Sequence, residues 1–187
     1  MRLVCLIPNS IHQKKLIFES MNWEDIVGQQ NIVTTLKDTV DKNRVSHAQL
    51  FVGEEGYGIL PLALAYAKEI LKRENENAGS KIDHLNHLDL HVSFPVFSEK
   101  NLSLSKKHYE DWRSMVLENP YASFQDWTAV LDAENKQFFI SADEIEELGQ
   151  KFNLKSYEGG TKILLIWRAD KMNTSAANKF LKFLEEP

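Results

Sequence analysis

The stretch GEEGYGIL, residues 53 to 60, has the glycine spacing of a phosphate-binding loop without that loop's polar side chains. A working loop follows G-x-x-x-x-G-K-[ST]: backbone N–H groups surround the phosphate, the lysine neutralises it and the hydroxyl binds Mg²⁺. Here Ile59 stands in the lysine position and Leu60 in the hydroxyl position. The sequence predicts a vestigial loop formed by Gly53, Glu54, Glu55, Gly56, Tyr57, Gly58, Ile59 and Leu60.

Glu54 and Glu55 bring negative charge toward the place where a triphosphate would sit. Two unit charges about 4 Å apart interact by roughly 4 kcal/mol at an effective dielectric of about 20, which is about a thousandfold in affinity. The missing lysine and the added carboxylates both oppose nucleotide binding, so we expect no ATP at this loop. Taken alone, the glycine pattern is equally compatible with a flexible strand-to-helix turn.

The second half of such a site is a strand that ends in two carboxylates, one for Mg²⁺ and one for the attacking water. The candidate strand is the start of ILLIWRAD, residues 163 to 170, and its tip is Trp167 and Arg168, with Asp170 two residues further on. An indole and a guanidinium cannot bind Mg²⁺ or activate water. We therefore predict no catalytic residue, and Trp167 and Arg168 mark the vestigial acidic-pair position.

Helices and strands alternate around these two motifs. Apolar residues at helical spacing predict helices over 29–43, over 61–73, around 109–116 with a stop at 119–120, after Ser141, and after Asn173 or Thr174. Short apolar runs predict strands at 48–52, 87–96 and 162–167, the last covered on both faces, and 74–81 is predicted to be a loop. This alternation predicts an α/β fold with a mostly parallel sheet flanked by helices.

Two helices carry further detail. Ser141 and Glu144 have the spacing of a capping box, in which each side chain bonds the other residue's backbone N–H. The apolar face of the last helix is predicted to consist of Ala177, Phe180, Leu181 and Leu184.

The composition limits the class of protein. The 187-residue chain is 43% hydrophobic with a net charge of −5, which favours a globular protein with no general attraction to DNA or anionic membrane. The single cysteine, Cys5, excludes an internal disulfide and a multi-cysteine zinc site. No stretch is long enough to cross a membrane. Residues 1–20 show little periodicity, so we interpret them as an extension or a mis-assigned start, with an added strand at 3–7 as the alternative.

Other candidate residues have simpler structural interpretations. His84, His87 and His91 follow H-x2-H-x3-H, but on a strand His84 lies on the opposite face from the other two, so no metal site is predicted. Glu144, Glu146 and Glu147 could form a catalytic cluster of carboxylates, but a helix cap and a solvated helix face explain them more simply. Trp112 and Trp127 could stack on bases, but core packing explains them better.

The motifs and their order resemble the AAA+ clamp-loader subunits of bacterial DNA polymerase III. The matching segments are VGQQ, SHAQLFVGEEGYG, LALAYAKEIL, HLDLHVSFPV, ISADEIEELGQKFNLKSYEGGTKILLIWRADKMN and SAANKFLKFLEEP. The resemblance covers residues 21–187 apart from a poorly matching insert at about 97–137. The YEGG segment with its strand and the NKFLKFLEEP segment are specific as a pair.

The resemblance implies a RecA-like P-loop NTPase (AAA+) core over residues 21–187, incomplete at its C-terminus, in a ring that loads the sliding clamp onto primed DNA. Within the family the chain is most similar to the subunit that does not hydrolyse ATP and acts as a stator. The implied partners are other clamp-loader subunits, with primed DNA and the clamp reached through the complex in the cytoplasm. Many relatives carry four zinc-binding cysteines after the loop helix; this chain lacks them, so no zinc is expected.

Two other functions stay open. One is an ATP-hydrolysing motor subunit of the same family that has rebuilt its site from other groups. The other is a free-standing nucleic-acid-binding protein.

Overall fold

The computed structural model describes residues 21–98, 103–158 and 160–185. Its helices are α1 (Gln30–Asp41), α2 (Ile59–Glu74), α3 (Ala78–Asp83), α4 (Tyr109–Glu118), α5 (Phe124–Val130), α6 (Ala142–Phe152) and α7 (Thr174–Glu185), and its strands are β1 (Leu90–Ser93) and β2 (Ile163–Ile166). Short 3-10 helices span Trp23–Asp25, Ser105–His108 and Ala169–Lys171. The predicted extension 1–20, with its alternative strand at 3–7 and Cys5, lies outside the described residues.

The two strands form a parallel pair in which Leu90 lies opposite Ile163. Two flanking backbone bonds complete the ladder: the Ile163 N–H donates to the Asp89 carbonyl, and the Trp167 N–H donates to the Ser93 carbonyl, each at 2.8 Å. Parallel strands need a long crossover connection, and α4, α5 and α6 lie within it. This combination of helices with a parallel sheet confirms the predicted α/β class.

The predicted strand at 48–52 is wrong. The segment has no regular secondary structure and forms no ladder with any described residue, and the side chains of Leu50 and Val52 are 81% and 84% exposed. A groove of about 1740 Å³ separates this segment from β2, so the backbone of 48–52 has no neighbouring strand within hydrogen-bond reach. The same groove leaves all four residues of β2 half-buried, so the cover expected on both faces of that strand is incomplete.

Two boundaries in the middle of the chain also differ from expectation. The predicted loop 74–81 contains the start of α3, because the Asn75 carbonyl accepts from the Ala78 N–H at 2.9 Å and both Ala78 and Ile82 are fully buried. The predicted strand 87–96 pairs with β2 only over β1. Pro95 has no N–H for a ladder, and beyond it Val96 makes an isolated antiparallel bridge with Phe139.

The main core joins α2, α3, α4, α5 and both strands. Trp112 and Trp127 are fully buried in it, which confirms their assignment as core residues. Phe94 lies between them with ring centroids 5.1 Å from each, stacked on Trp112 and edge-on to Trp127. The helices of the predicted insert are therefore part of this core and fix the end of β1.

α6 and α7 pack together around a smaller core of Ile145, Leu148 and Ala176. Asn173 caps α7, since its side-chain oxygen accepts from the Ala176 N–H at 2.8 Å. Of the predicted face of α7, Leu181 is wrong, because it is 57% exposed. Ala177, Phe180 and Leu184 are partly buried as the spacing predicts.

The predicted capping box of α6 is half right. Ser141 accepts from the Glu144 N–H at 3.1 Å, as predicted. The Glu144 carboxylate, however, does not reach back to the Ser141 N–H: it is buried and accepts from the Ser93 hydroxyl at 2.8 Å and from the Ser105 N–H at 2.9 Å. Glu144 thus ties α6 to the end of β1, and Glu146 faces solvent as expected.

Candidate functional site

The glycine loop keeps the backbone shape that its sequence predicts. Gly56 and Gly58 have φ of 80° and 86°, a left-handed region in which a side chain is strained. Gly58 is the residue that precedes the first turn of α2. The loop therefore presents a helix N-terminus, as phosphate-binding loops do.

Ile59 and Leu60, which occupy the lysine and hydroxyl positions of the motif, are packing residues. The Ile59 side chain covers Gly53, with its Cδ1 atom 3.0 Å from the place of a Cβ on that glycine. Leu60 is 6% exposed and belongs to the main core together with Leu64 of the next helical turn. Neither residue offers a donor or a metal ligand to a phosphate.

Arg168, at the tip of β2, is already neutralised by carboxylates. Its Nε and Nη2 atoms each donate to the Asp170 carboxylate at 2.8 Å, and Nη1 pairs with the Glu55 carboxylate of the loop. The hydrogen bonds to Asp170 raise the pKa of Arg168 and, in return, lower the pKa of Asp170. The two predicted halves of the site thus meet, and they are joined to each other by an ion pair.

Residues of the predicted insert contact the loop at Gly58 and at Glu55. The Tyr121 ring lies 3.2 Å from the place of a Cβ on Gly58, and its hydroxyl accepts from the Val27 N–H at 2.9 Å. The Phe124 N–H donates to the Glu55 carboxylate at 3.3 Å. Sequence reasoning missed Tyr121 and Phe124, because an aromatic residue some sixty positions away carries no spacing signal that links it to the loop.

Trp167, the other residue of the vestigial acidic-pair position, points into an aromatic cluster. Its ring centroid lies 6.3 Å from that of Trp112 and 6.4 Å from that of Phe124. Trp167 therefore fixes the end of β2 by packing and takes no direct part in the loop contacts.

The histidines serve separate local roles. His87 is buried, with its Nδ1 accepting from the Asp89 N–H at 3.1 Å and its Nε2 3.6 Å from the Glu158 carboxylate. His91 packs against Phe152 with ring centroids 5.2 Å apart, and burial lowers its pKa. Across residues 21–98, 103–158 and 160–185, no three or more His, Cys, Asp or Glu side chains are grouped to hold a metal ion.

The fold and the site together define an α/β chain with the loop geometry of a nucleotide-binding domain and neutralised or apolar residues where the chemistry would be. The family model described as "DNA polymerase III, delta subunit" matches residues 28–187. The chain therefore belongs to this family.

Two curated proteins of Bacillus subtilis (strain 168) are similar to the chain. DNA polymerase III subunit delta' is 28% identical over 176 residues, which is 90% of this chain and 41% of that protein. DNA polymerase III subunit tau is 25% identical over 171 residues, 91% of this chain and 24% of that protein. The chain thus spans less than half the length of either relative. No solved structure matches it significantly.

Within the described ranges, none of the helices has the length and apolar character needed to cross a membrane.

Proposed function

We propose that this chain is the nucleotide-fold part of a non-catalytic, delta'-like clamp-loader subunit that acts in DNA replication in the bacterial cytoplasm. The observation that carries the proposal is the pairing of Arg168 with Glu55 and Asp170 at a loop whose lysine position is Ile59. At this loop the arginine is already paired with two carboxylates, and the position of the phosphate-binding lysine carries no charge. Similarity to the delta' and tau subunits supports a role in the same replication machinery.

The proposed role is that of a stator. A motor subunit changes shape as its γ-phosphate is bound and released, because the phosphate and Mg²⁺ hold mobile segments in place. In this chain the corresponding segments are held by its own side chains, so its shape does not follow the nucleotide cycle. Its proposed partners are the other subunits of a clamp-loader ring, with primed DNA and the sliding clamp reached through that ring, and it needs neither ATP nor zinc.

The groove beside β2 supports a RecA-like core that a further strand completes. A right-handed crossover from β2 through α7 places the next parallel strand on the free side of β2. Phe180, Phe183 and Leu184 of α7 line the same groove. We propose that residues following 187 in a full-length protein supply this strand between β2 and segment 48–52. We expect the amides of Leu50 and Val52 to exchange more slowly in the full-length protein than in residues 21–187.

Calorimetric titration of the full-length protein with ATP and Mg²⁺ tests the non-catalytic role. We expect no saturable heat, because the loop has lost its lysine and its hydroxyl. A ligand present at about 100 times its dissociation constant stabilises a protein by about 2.7 kcal/mol, so a thermal shift on adding ATP is an independent check. Micromolar, magnesium-dependent binding would overturn the proposal.

The alternative is an ATP-hydrolysing motor subunit, and the observation that favours it is the similarity to tau. Steady-state hydrolysis by the full-length protein that disappears in Gly58→Val would establish it, since a valine at φ 86° distorts the loop. Gly149→Ala is a matched control, because Gly149 lies within α6, where the nearest atom to an added Cβ is 3.9 Å away. On the non-catalytic proposal, neither variant changes the background rate.

A further inference from the structure

We propose that the glycine loop is closed by an internal latch, made of the Glu55–Arg168 ion pair together with Tyr121 and Phe124. The latch lies beside the N-terminus of α2 and fixes the loop to Arg168, just after the end of β2. This inference deepens the proposed function, on which it rests for the view that no nucleotide fills the loop. The latch accounts for what holds the loop in place when no nucleotide is bound.

The steric part of the latch is Tyr121. Its ring lies against Gly58, directly before the first turn of α2, where a phosphate would approach the backbone N–H groups. The ring is held from two sides. Its hydroxyl accepts from the Val27 N–H at 2.9 Å, and the Tyr121 backbone N–H donates to the Asn119 side-chain oxygen at 3.0 Å. A ligand at this helix end would have to displace the ring.

The electrostatic part of the latch is the Glu55–Arg168 pair. Arg168 divides its donors between Glu55 and Asp170, and its guanidinium carbon lies 5.0 Å from the centre of the Phe124 ring. Lys171 lies 4.9 Å from the same ring. Cations over an aromatic face are attracted to it, so Phe124 adds to the restraint on Arg168. The Glu55 carboxylate also accepts from the Phe124 N–H, so one loop side chain binds both β2 and α5.

The consequence is a loop whose conformation is set by distant parts of the chain. Tyr121, Phe124 and Arg168 each contact it directly. The segment before α1 contacts it indirectly, because the Val27 N–H holds the Tyr121 hydroxyl. Because these contacts replace those of a nucleotide, the loop is ordered in the free subunit, and a movement of α5 or of the β2 tip is transmitted to it.

Hydrogen exchange at residues 53–60, read by mass spectrometry, tests the latch in the wild type and in Glu55→Gln, Arg168→Met and the double variant. We expect each single change to speed loop exchange about fivefold, the size of a well-formed, partly shielded ion pair. The double variant should show less than the product of the two single effects, because both changes remove the Glu55–Arg168 pair. Unchanged loop exchange, or effects that multiply in the double variant, would refute the latch.

Matched controls separate the latch from general loosening. Glu146 and Lys179 form an ion pair of similar exposure between α6 and α7, with 2.6 Å between its charged atoms. Glu146→Gln with Lys179→Met should leave loop exchange unchanged. If Arg168→Met unfolds the protein, Tyr121→Phe keeps the ring and removes only its hydroxyl, and faster exchange at the Val27 amide and in the loop is then the expected result. Unchanged exchange there would also count against the latch.

These outcomes are distinct from those of the proposed function. ATP binding by a wild type whose latch variants behave as expected would overturn the non-catalytic role and leave the latch in place. The absence of ATP binding together with unchanged loop exchange in the variants would overturn the latch alone.

Discussion

The buried carboxylate of Asp89 gives the sharpest prediction about the scaffold of the site. Asp89 is 1% exposed and directly precedes β1, while its side chain accepts from the backbone N–H groups of Tyr157 at 2.8 Å and Glu158 at 2.9 Å. Its own carbonyl accepts the first ladder bond, from Ile163. Asp89 therefore holds the turn at Tyr157 and Glu158 and the start of β2 in register, and β2 in turn positions Arg168.

The perturbation is Asp89→Asn, which keeps the shape and removes one acceptor. The two N–H groups bond different carboxylate oxygens, and asparagine replaces one of these oxygens with an NH₂ group that faces its N–H as a second donor. A hydrogen bond to a charged group contributes about 1.5–3 kcal/mol, so the variant should lose about 2–3 kcal/mol of unfolding free energy. For a domain of this size that corresponds to a fall in melting temperature of about 4–12 °C.

The assay is urea unfolding followed by the fluorescence of the buried tryptophans. Asp132→Asn is the control, because Asp132 is exposed and its φ of 47° is one that asparagine adopts readily. We expect this control to stay within about 0.5 kcal/mol of the wild type. Equal unfolding midpoints for the two variants would refute the argument that Asp89 holds the turn.

Further predictions concern the core and its buried charges. Trp112→Phe should lower the free energy of unfolding, measured in urea, by about 1 kcal/mol less than Trp127→Phe does. The Trp112 indole N–H has no hydrogen-bond partner among the described residues, whereas the Trp127 indole N–H donates to the Pro95 carbonyl at 2.8 Å. Lys68→Met should lower the free energy of unfolding by about 3–5 kcal/mol, since it leaves the Asp83 carboxylate, 2.6 Å from the lysine, without its cation. A loss no larger than that caused by the same change at an exposed lysine would contradict this. Burial lowers the pKa of His91, so protonation favours the unfolded chain, and stability should fall as the pH drops below about 6.5. His91→Gln should flatten that pH dependence of the urea midpoint, and an unchanged slope would exclude His91 as its source.

The sequence was most informative where one local pattern determines the structure. Ser141 and Asn173 cap their helices as predicted, and the run at 163–166 forms a strand. The prediction for 48–52 failed because a strand requires a neighbour, which no property of the segment itself supplies. The prediction for Leu181 failed because the spacing of apolar residues defines one face of the helix. It does not show how much of that face a neighbouring element buries.

The sequence shows which motif residues the loop lacks, but not which contacts the loop makes in the folded chain. The absence of a lysine at Ile59 and of an acidic pair at Trp167 and Arg168 can be read directly from motif positions. The contacts of Tyr121 and Phe124 with the loop depend on how α4 and α5 pack into the main core. That packing joins residues far apart in the chain, and no motif records it.

On the proposed non-catalytic role, the burial of Leu60 makes the loss of nucleotide chemistry hard to reverse. A hydroxyl-bearing residue such as threonine at this position would remove buried methyl groups and place an oxygen in an apolar core, at a cost of about 2–4 kcal/mol. That is a large share of the roughly 5–15 kcal/mol that keeps a typical domain folded. Once leucine is buried at this position, a reverting substitution first destabilises the protein. ATP hydrolysis would return only after further substitutions.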